Sequence, residues 1–111
     1  MKSKFEEFND GNAGIFRETE DGKLEKVFPD DFRFGLENVS IARHYAAKMS
    51  DQQVDKVIHI QMQKGIEAHD IVVIDEDQFD IEKVDNIKDT LPPITKLSLK
   101  LLEKHRRKEF A

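Results

Sequence analysis

Apolar residues in this chain recur at a spacing closer to two than to 3.6, and that periodicity limits the fold more than any other feature. In Val57-Ile58-His59-Ile60-Gln61-Met62, the residues Ile58, Ile60 and Met62 fall on one face, and Leu97, Leu99 and Leu101 alternate with Ser98, Lys100 and Leu102. Phe79 and Ile81 point one way, with Lys83 next in that series, while Asp80, Glu82 and Val84 point the other. Neighbouring strand residues face opposite sides of a sheet, so each stretch reads as a strand with one buried face. Asp70-Ile71-Val72-Val73-Ile74-Asp75 is a short β-branched run between acids, suited to a central strand and too short for a helix.

Turn residues divide these strands. Ile15 to Glu18 and Leu24 to Phe28 flank Asp21-Gly22, a pair that tolerates the positive φ of a tight hairpin turn. Phe32 and Phe34 alternate up to Gly35, and Leu36 and Val39 continue the extended stretch. Lys64-Gly65 ends the strand through Ile60, Glu76-Asp77 supplies the turn of a second hairpin, and Pro92-Pro93 interrupts pairing before the last strand. From Ser40 to Met49 the spacing changes: Ile41, Tyr45 and Met49 share a helical face and Ser40 can cap the first turn, which predicts one short helix.

Five or six short strands with regular turns predict a mainly β fold, a small antiparallel barrel or sandwich with one short helix and mobile termini. Its 111 residues suffice for one hydrophobic core. The expected organisation is a mobile segment over 1–14, a single β domain over 15–103 and a basic tail over 104–111 that frays. Gln63 to His69 and Asp85 to Ile94 are expected to be mobile loops, and the isolated chain a monomer. The core is assigned to Phe28, Phe34, Tyr45, Ile58, Ile60, Ile71, Val73, Phe79, Ile81, Leu97 and Leu99.

The absence of cysteine removes disulfides, thiolate metal sites and cysteine nucleophiles, so the chain holds together by burial alone. Met1 to Asp10 is charged and lacks the apolar run of a signal peptide, and no stretch approaches the length of a membrane span, so a soluble protein retained in its cell is expected. Four histidines, His44, His59, His69 and His105, sit in separate segments without a metal-ligand spacing, and none of the few serines stands in a nucleophile elbow. The glycines are scattered as turn residues and form no phosphate loop. A metal-dependent nuclease would set a Glu and a Lys two residues apart on a strand, facing an Asp on the neighbouring one. Glu82 and Lys83 are adjacent and so face opposite sides, away from a common ion with Asp70 or Asp75. No catalytic, cofactor-binding or metal-ligating residue is assigned, and no enzyme is expected.

Charge is the remaining signal. The net charge is −5, with acids concentrated between Asp70 and Asp89 and bases at the C-terminus. Asp75, Glu76 and Asp77 on one side, and Lys104, Arg106, Arg107 and Lys108 on the other, are the candidate interaction residues.

Several segments then point to a family. These are Ala42-Arg43-His44-Tyr45-Ala46-Ala47-Lys48-Met49, Asp55-Lys56-Val57-Ile58-His59-Ile60, Ile66 to Ile74, Phe79-Asp80-Ile81-Glu82-Lys83-Val84, and Asp89-Thr90-Leu91-Pro92-Pro93-Ile94-Thr95-Lys96-Leu97-Ser98-Leu99. Their order over about two thirds of the chain resembles that of the head-closure (stopper, or head-tail joining) proteins of long-tailed bacteriophages. The resemblance implies a β subunit, with no catalytic residues, that joins a ring beneath the portal and adaptor, retains packaged DNA and docks the tail. It further implies other connector proteins as partners, a ring formed on assembly from a chain that is monomeric alone, DNA passing nearby without sequence-specific binding, no membrane partner, and residence in the host cytoplasm and then the virion. The N-terminal hairpin and the basic tail match less clearly, which leaves neighbouring connector positions open. The alternative class is a small intracellular regulator or inhibitor whose acidic strand pair binds a basic host protein.

Overall fold

A computed structural model describes residues 4–37 and 54–111. The strands are β1 (Lys4–Phe5), β2 (Gly11–Glu18), β3 (Leu24–Lys26), β4 (Phe32–Glu37), β5 (Lys56–Gln61), β6 (Ile71–Ile74), β7 (Asp77–Ile87), β8 (Thr90–Leu91) and β9 (Ile94–Leu101), followed by a 3-10 turn over Lys104–Arg106. The short helix expected over Ser40 to Met49, and Tyr45 with it, lie outside the described residues.

Six strands close into an antiparallel barrel in the order β2-β4-β5-β9-β7-β6, with β6 returning to pair β2, and β3 lies outside on β2. The expected mainly β class, barrel rather than sandwich, is therefore the observed one. Closure removes the open sheet edges that a six-strand sheet would expose. β1 and β8 form a separate two-stranded parallel ribbon, pairing Phe5 with Leu91. The first hairpin turns as its sequence requires: Gly22 has φ +81°, its N–H donates to the Thr19 carbonyl at 3.0 Å, and the Thr19 N–H donates to the Lys23 carbonyl at 2.7 Å.

The interior follows the period of two. Ala13 and Ile15, Phe34, Ile58 and Ile60, Val72 and Ile74, Phe79 and Ile81, and Leu97 and Leu99 meet inside the barrel, with Ile66 from the β5–β6 connection and Val27, Phe28, Phe32 and Val84 packed against them. One expectation fails here. Val73 is not a core residue: β6 sends Val72 and Ile74 inward, and Val73 is only half-buried. Ile71 is buried as expected, on the face of β6 away from the interior cluster. A run that is apolar at every position carries no alternation from which to read its inward face.

Lys83 also leaves the series that Phe79 and Ile81 begin. Ile81 pairs Leu99 while Lys83 pairs Ser98, so Glu82 is the extra residue of a β-bulge and the phase flips, bringing Val84 to the core. The second turn is made by Asp75-Glu76 rather than Glu76-Asp77; Asp75 takes φ +56° and Asp77 already pairs Ile74. The stretch expected as a loop over Asp85 to Ile94 is largely paired, because β7 runs to Ile87 opposite Ile94 and β8 follows. β2 begins at Gly11, which draws Ala13 into the core from the segment expected to lie outside the domain.

Candidate interaction site

The faces of β2, β3, β6 and β7 that point away from the barrel interior are not a uniform solvent face. Inward Ile15 pairs inward Val72, so their neighbours Phe16 and Ile71, themselves paired, face outward, as do Val73 and its partner Gln78. Glu18 and its partner Leu24 belong to the same outer face. Leu24, Ile71 and Gln78 are nevertheless buried. What covers this face is the C-terminal tail, which with Ile71 lines a single depression.

The tail is held chiefly through its backbone. After β9 the Leu102 N–H donates to the Gln78 carbonyl at 2.9 Å, and Glu103 and Arg107 are extended on either side of the 3-10 turn. The Gln78 side-chain amide then grips the backbone of one residue on both sides: its Nε2 donates to the Lys108 carbonyl at 2.8 Å and its Oε1 accepts from the Lys108 N–H at 2.9 Å. Further on, the Leu24 N–H donates to the Glu109 carbonyl and the Ala111 N–H donates to the Leu24 carbonyl, both at 2.8 Å, so the chain end adds to the β3 edge as a parallel bridge. Side chains add charge and shape. Arg107 meets Asp77 at 2.9 Å, Lys108 meets Glu18 at 3.0 Å, and the Phe110 ring tilts against Phe16 with centroids 5.0 Å apart.

Of the residues singled out from sequence, Arg107 and Asp77 are brought together and Lys108 finds Glu18 instead. Lys104 and Arg106 lie exposed in the 3-10 turn, and Asp75 and Glu76 lie exposed in the β6–β7 turn. The tail expected to fray is docked, and its acidic partner belongs to its own chain. Gln78 was missed because a polar residue in an alternating strand reads as solvent-facing; its only sequence signal is its place opposite an all-apolar strand.

A second buried polar group covers the outer face of β4, β5 and β9. His59, between inward Ile58 and Ile60, is 4% exposed. Its Nδ1 lies 2.6 Å from Glu37 Oε2, and its Nε2 lies 2.7 Å from the Glu7 carbonyl and 3.4 Å from Glu6 Oε2. Lys96, paired with His59 across β9, reaches Glu37 Oε1 at 2.9 Å. Phe8 packs edge-on to the imidazole, and Gly35, opposite His59, leaves the room: a Cβ there would collide with the Glu7 carbonyl and the His59 ring.

Glu6, Glu37 and His59 put ligand atoms within 4.8 Å of one another, close enough to share a cation. The donor set does not fit one. Both imidazole nitrogens are already turned to oxygen atoms, Glu37 Oε2 and the Glu7 carbonyl, and Glu37 Oε1 is taken by Lys96, so no lone-pair set is left converging on an ion. Burial pushes the Glu37 carboxyl up, and the hydrogen bonds from Lys96 and His59 outweigh it, leaving the group below its ordinary range.

No family model, curated protein or solved structure matches the chain. Its residues must therefore speak for themselves on chemistry. Of the acids weighed for a nuclease, Asp75 lies exposed in its turn, whereas Asp70 is buried, accepts from Arg17 Nε and Nη2 at 2.9 Å each, and accepts from the Glu67 N–H at 2.9 Å. That contact holds Arg17 more basic than usual, the hydrogen bond contributing most. Glu82 sits at the bulge, where burial first and its hydrogen bond with Asp80 second push its carboxyl up. Among the described residues no helix is long and apolar enough to cross a membrane.

Proposed function

We propose that this chain is a structural ring subunit of the bacteriophage head-to-tail connector, which closes the DNA-filled head and docks the tail. The observation that carries the reading is the layout. The described segments that resemble head-closure proteins fall in sequence on β5, on the connection into β6, on β6, on β7 and on β8 with β9, and so build most of the barrel wall. The polar residues at its outer faces hold chain segments in place, a structural use of groups that a catalytic site would leave free for substrate.

Exposed apolar surface that neighbours could cover supports the same reading. Phe5, 80% exposed, and Leu91 pair on the β1–β8 ribbon, and Leu36 and Leu101 add exposed apolar surface on the barrel. The alternative of an inhibitor acting through its acidic hairpin is less well supported, because Asp77 is already neutralised by Arg107.

The test is removal of the protein from the phage that encodes it. Heads should fill with DNA and then leak it, or heads and tails should accumulate unjoined, and the purified chain at high concentration should give rings by electron microscopy. Normal virions from the deletion, or a metal-dependent nuclease activity in the purified chain, would overturn the reading.

A further inference from the structure

We propose that the outer groove on β3, β2, β6 and β7 is a receptor for an extended C-terminal tail, and that on assembly it takes the tail of a neighbouring copy in place of its own. The inference rests on the ring reading only for the presence of that neighbour.

The groove has the parts of a peptide-binding site. Gln78 captures the Lys108 backbone through donor and acceptor together, and the β3 edge at Leu24 captures the chain again at Glu109 and Ala111. Backbone capture along a sheet edge is indifferent to which chain supplies the strand. Selectivity comes from Asp77 and Glu18, which match the basic pair Arg107-Lys108, and from Phe16, which meets Phe110. The ligand is thus an extended segment of the form Arg-Lys-x-Phe, and the chain's own C-terminus supplies one.

The connection to that ligand is built to let go. Residues 104–106 form a single 3-10 turn with no buried side chain and no side-chain cap. Two local hydrogen bonds close it, Arg106 N–H to the Glu103 carbonyl at 2.8 Å and Arg107 N–H to the Lys104 carbonyl at 3.3 Å. Opening this turn exposes no apolar surface, and the six residues from Leu102 to Arg107, once extended, reach about 20 Å. A tail bound to a neighbour regains every groove contact and loses only the bonds of the opened turn, so exchange costs little in contact energy; association entropy opposes it in isolated chains and ceases to where copies are held side by side. Passing each tail to the next copy is a head-to-tail contact, the kind that closes a ring by rotation.

The chain has no cysteine, which allows a direct test on full-length protein. Two single variants, Glu18→Cys and Lys108→Cys, are mixed at high concentration and treated with a short bismaleimide, with the double variant as a control for the contact within one chain. Both positions are partly exposed, so neither change disturbs the core. The double variant should cross-link within the monomer. The mixture should give a several-fold excess of mixed dimers over dimers of either variant with itself, and Gln78→Ala in the Glu18→Cys chain should abolish that excess. A fluorescent peptide of residues 104–111 should bind full-length Phe110→Ala several-fold more tightly than the parent, whose own tail competes. Cross-linking within the double variant but only chance dimers in the mixture would overturn the exchange, and rings that form under the same conditions would leave the connector reading intact. Failure of the double variant to cross-link would overturn the groove itself.

Discussion

The two ends of the chain both cover the barrel wall, and they do so by different physics. The N-terminal segment lies over β4, β5 and β9 on a buried polar network, the His59 ring with the Glu7 carbonyl, Glu6 and Glu37, backed by backbone bonds to Phe34 and Leu91. The C-terminal tail lies over β3, β2, β6 and β7 on backbone hydrogen bonds and half-exposed ion pairs. Removing one partner from a buried hydrogen-bond network leaves the others unsatisfied in low dielectric, so the first attachment is close to all-or-none. Exposed pairs contribute about 0–1 kcal/mol each and freed peptide groups return to water, so the second attachment is reversible. One terminus is fixed and the other is exchangeable.

The barrel interior sets the upper end of the scale on which that contrast can be broken. Val72→Asp puts an unpaired charge where exposure is 0%, and the domain should lose its cooperative thermal transition, since a small domain is stable by only about 5–15 kcal/mol. Val73→Asp, one residue away on the outer face, should still fold. Loss of both folds would show that β6 is buried equally on its two sides.

At the fixed end, His59→Leu leaves the Glu7 carbonyl without its ring partner and Glu37 with Lys96 alone, and should destabilise the domain by about 3–5 kcal/mol in denaturant titration. Gly35→Ala should have a smaller effect in the same direction, about 1–3 kcal/mol, because its methyl group forces the Glu7 backbone and the His59 ring apart. The same network predicts acid sensitivity. The Glu37 carboxyl is held below its ordinary range, so its contribution is fully present above the unfolded-state pKa of about 4.3 and is lost as pH falls through the lower folded-state value. Glu37→Gln should flatten that part of the stability-pH profile; an unchanged profile would remove Glu37 from the network's balance. At the exchangeable end, Gln78→Ala should change global stability by about 1 kcal/mol while releasing the tail, and Arg107→Ala should do less still.

Much of the barrel is legible in sequence because its strands alternate: Ile58 and Ile60, Phe79 and Ile81, and Leu97 and Leu99 all point inward as their spacing requires. Where alternation stops, so does legibility. Ile71 to Ile74 is apolar throughout because tail and interior cover its two faces, and nothing local distinguishes them. The bulge at Glu82 is set by pairing with β9 and leaves no mark in its own strand. The attachment sites were hidden for a different reason. His59 is visible as a polar residue in an apolar strand, but its partners Glu7 and Glu37 lie 52 and 22 residues away, and only the folded barrel joins them. The basic tail is plain in composition, whereas its receptor depends on Gln78, 30 residues from Lys108.

Amide hydrogen exchange tests the contrast between the two ends most directly, because it reads each attachment separately under native conditions. In the parent, the amides of Ile58, Leu97 and Leu99 should exchange only through global unfolding, and those of Lys108 and Ala111 through a far cheaper local opening. Gln78→Ala should accelerate Leu24, Lys108 and Ala111 while leaving Ile58 and Leu97 unchanged. Equal acceleration across the barrel, or tail amides as protected as the core in the parent, would contradict an exchangeable tail on a fixed barrel.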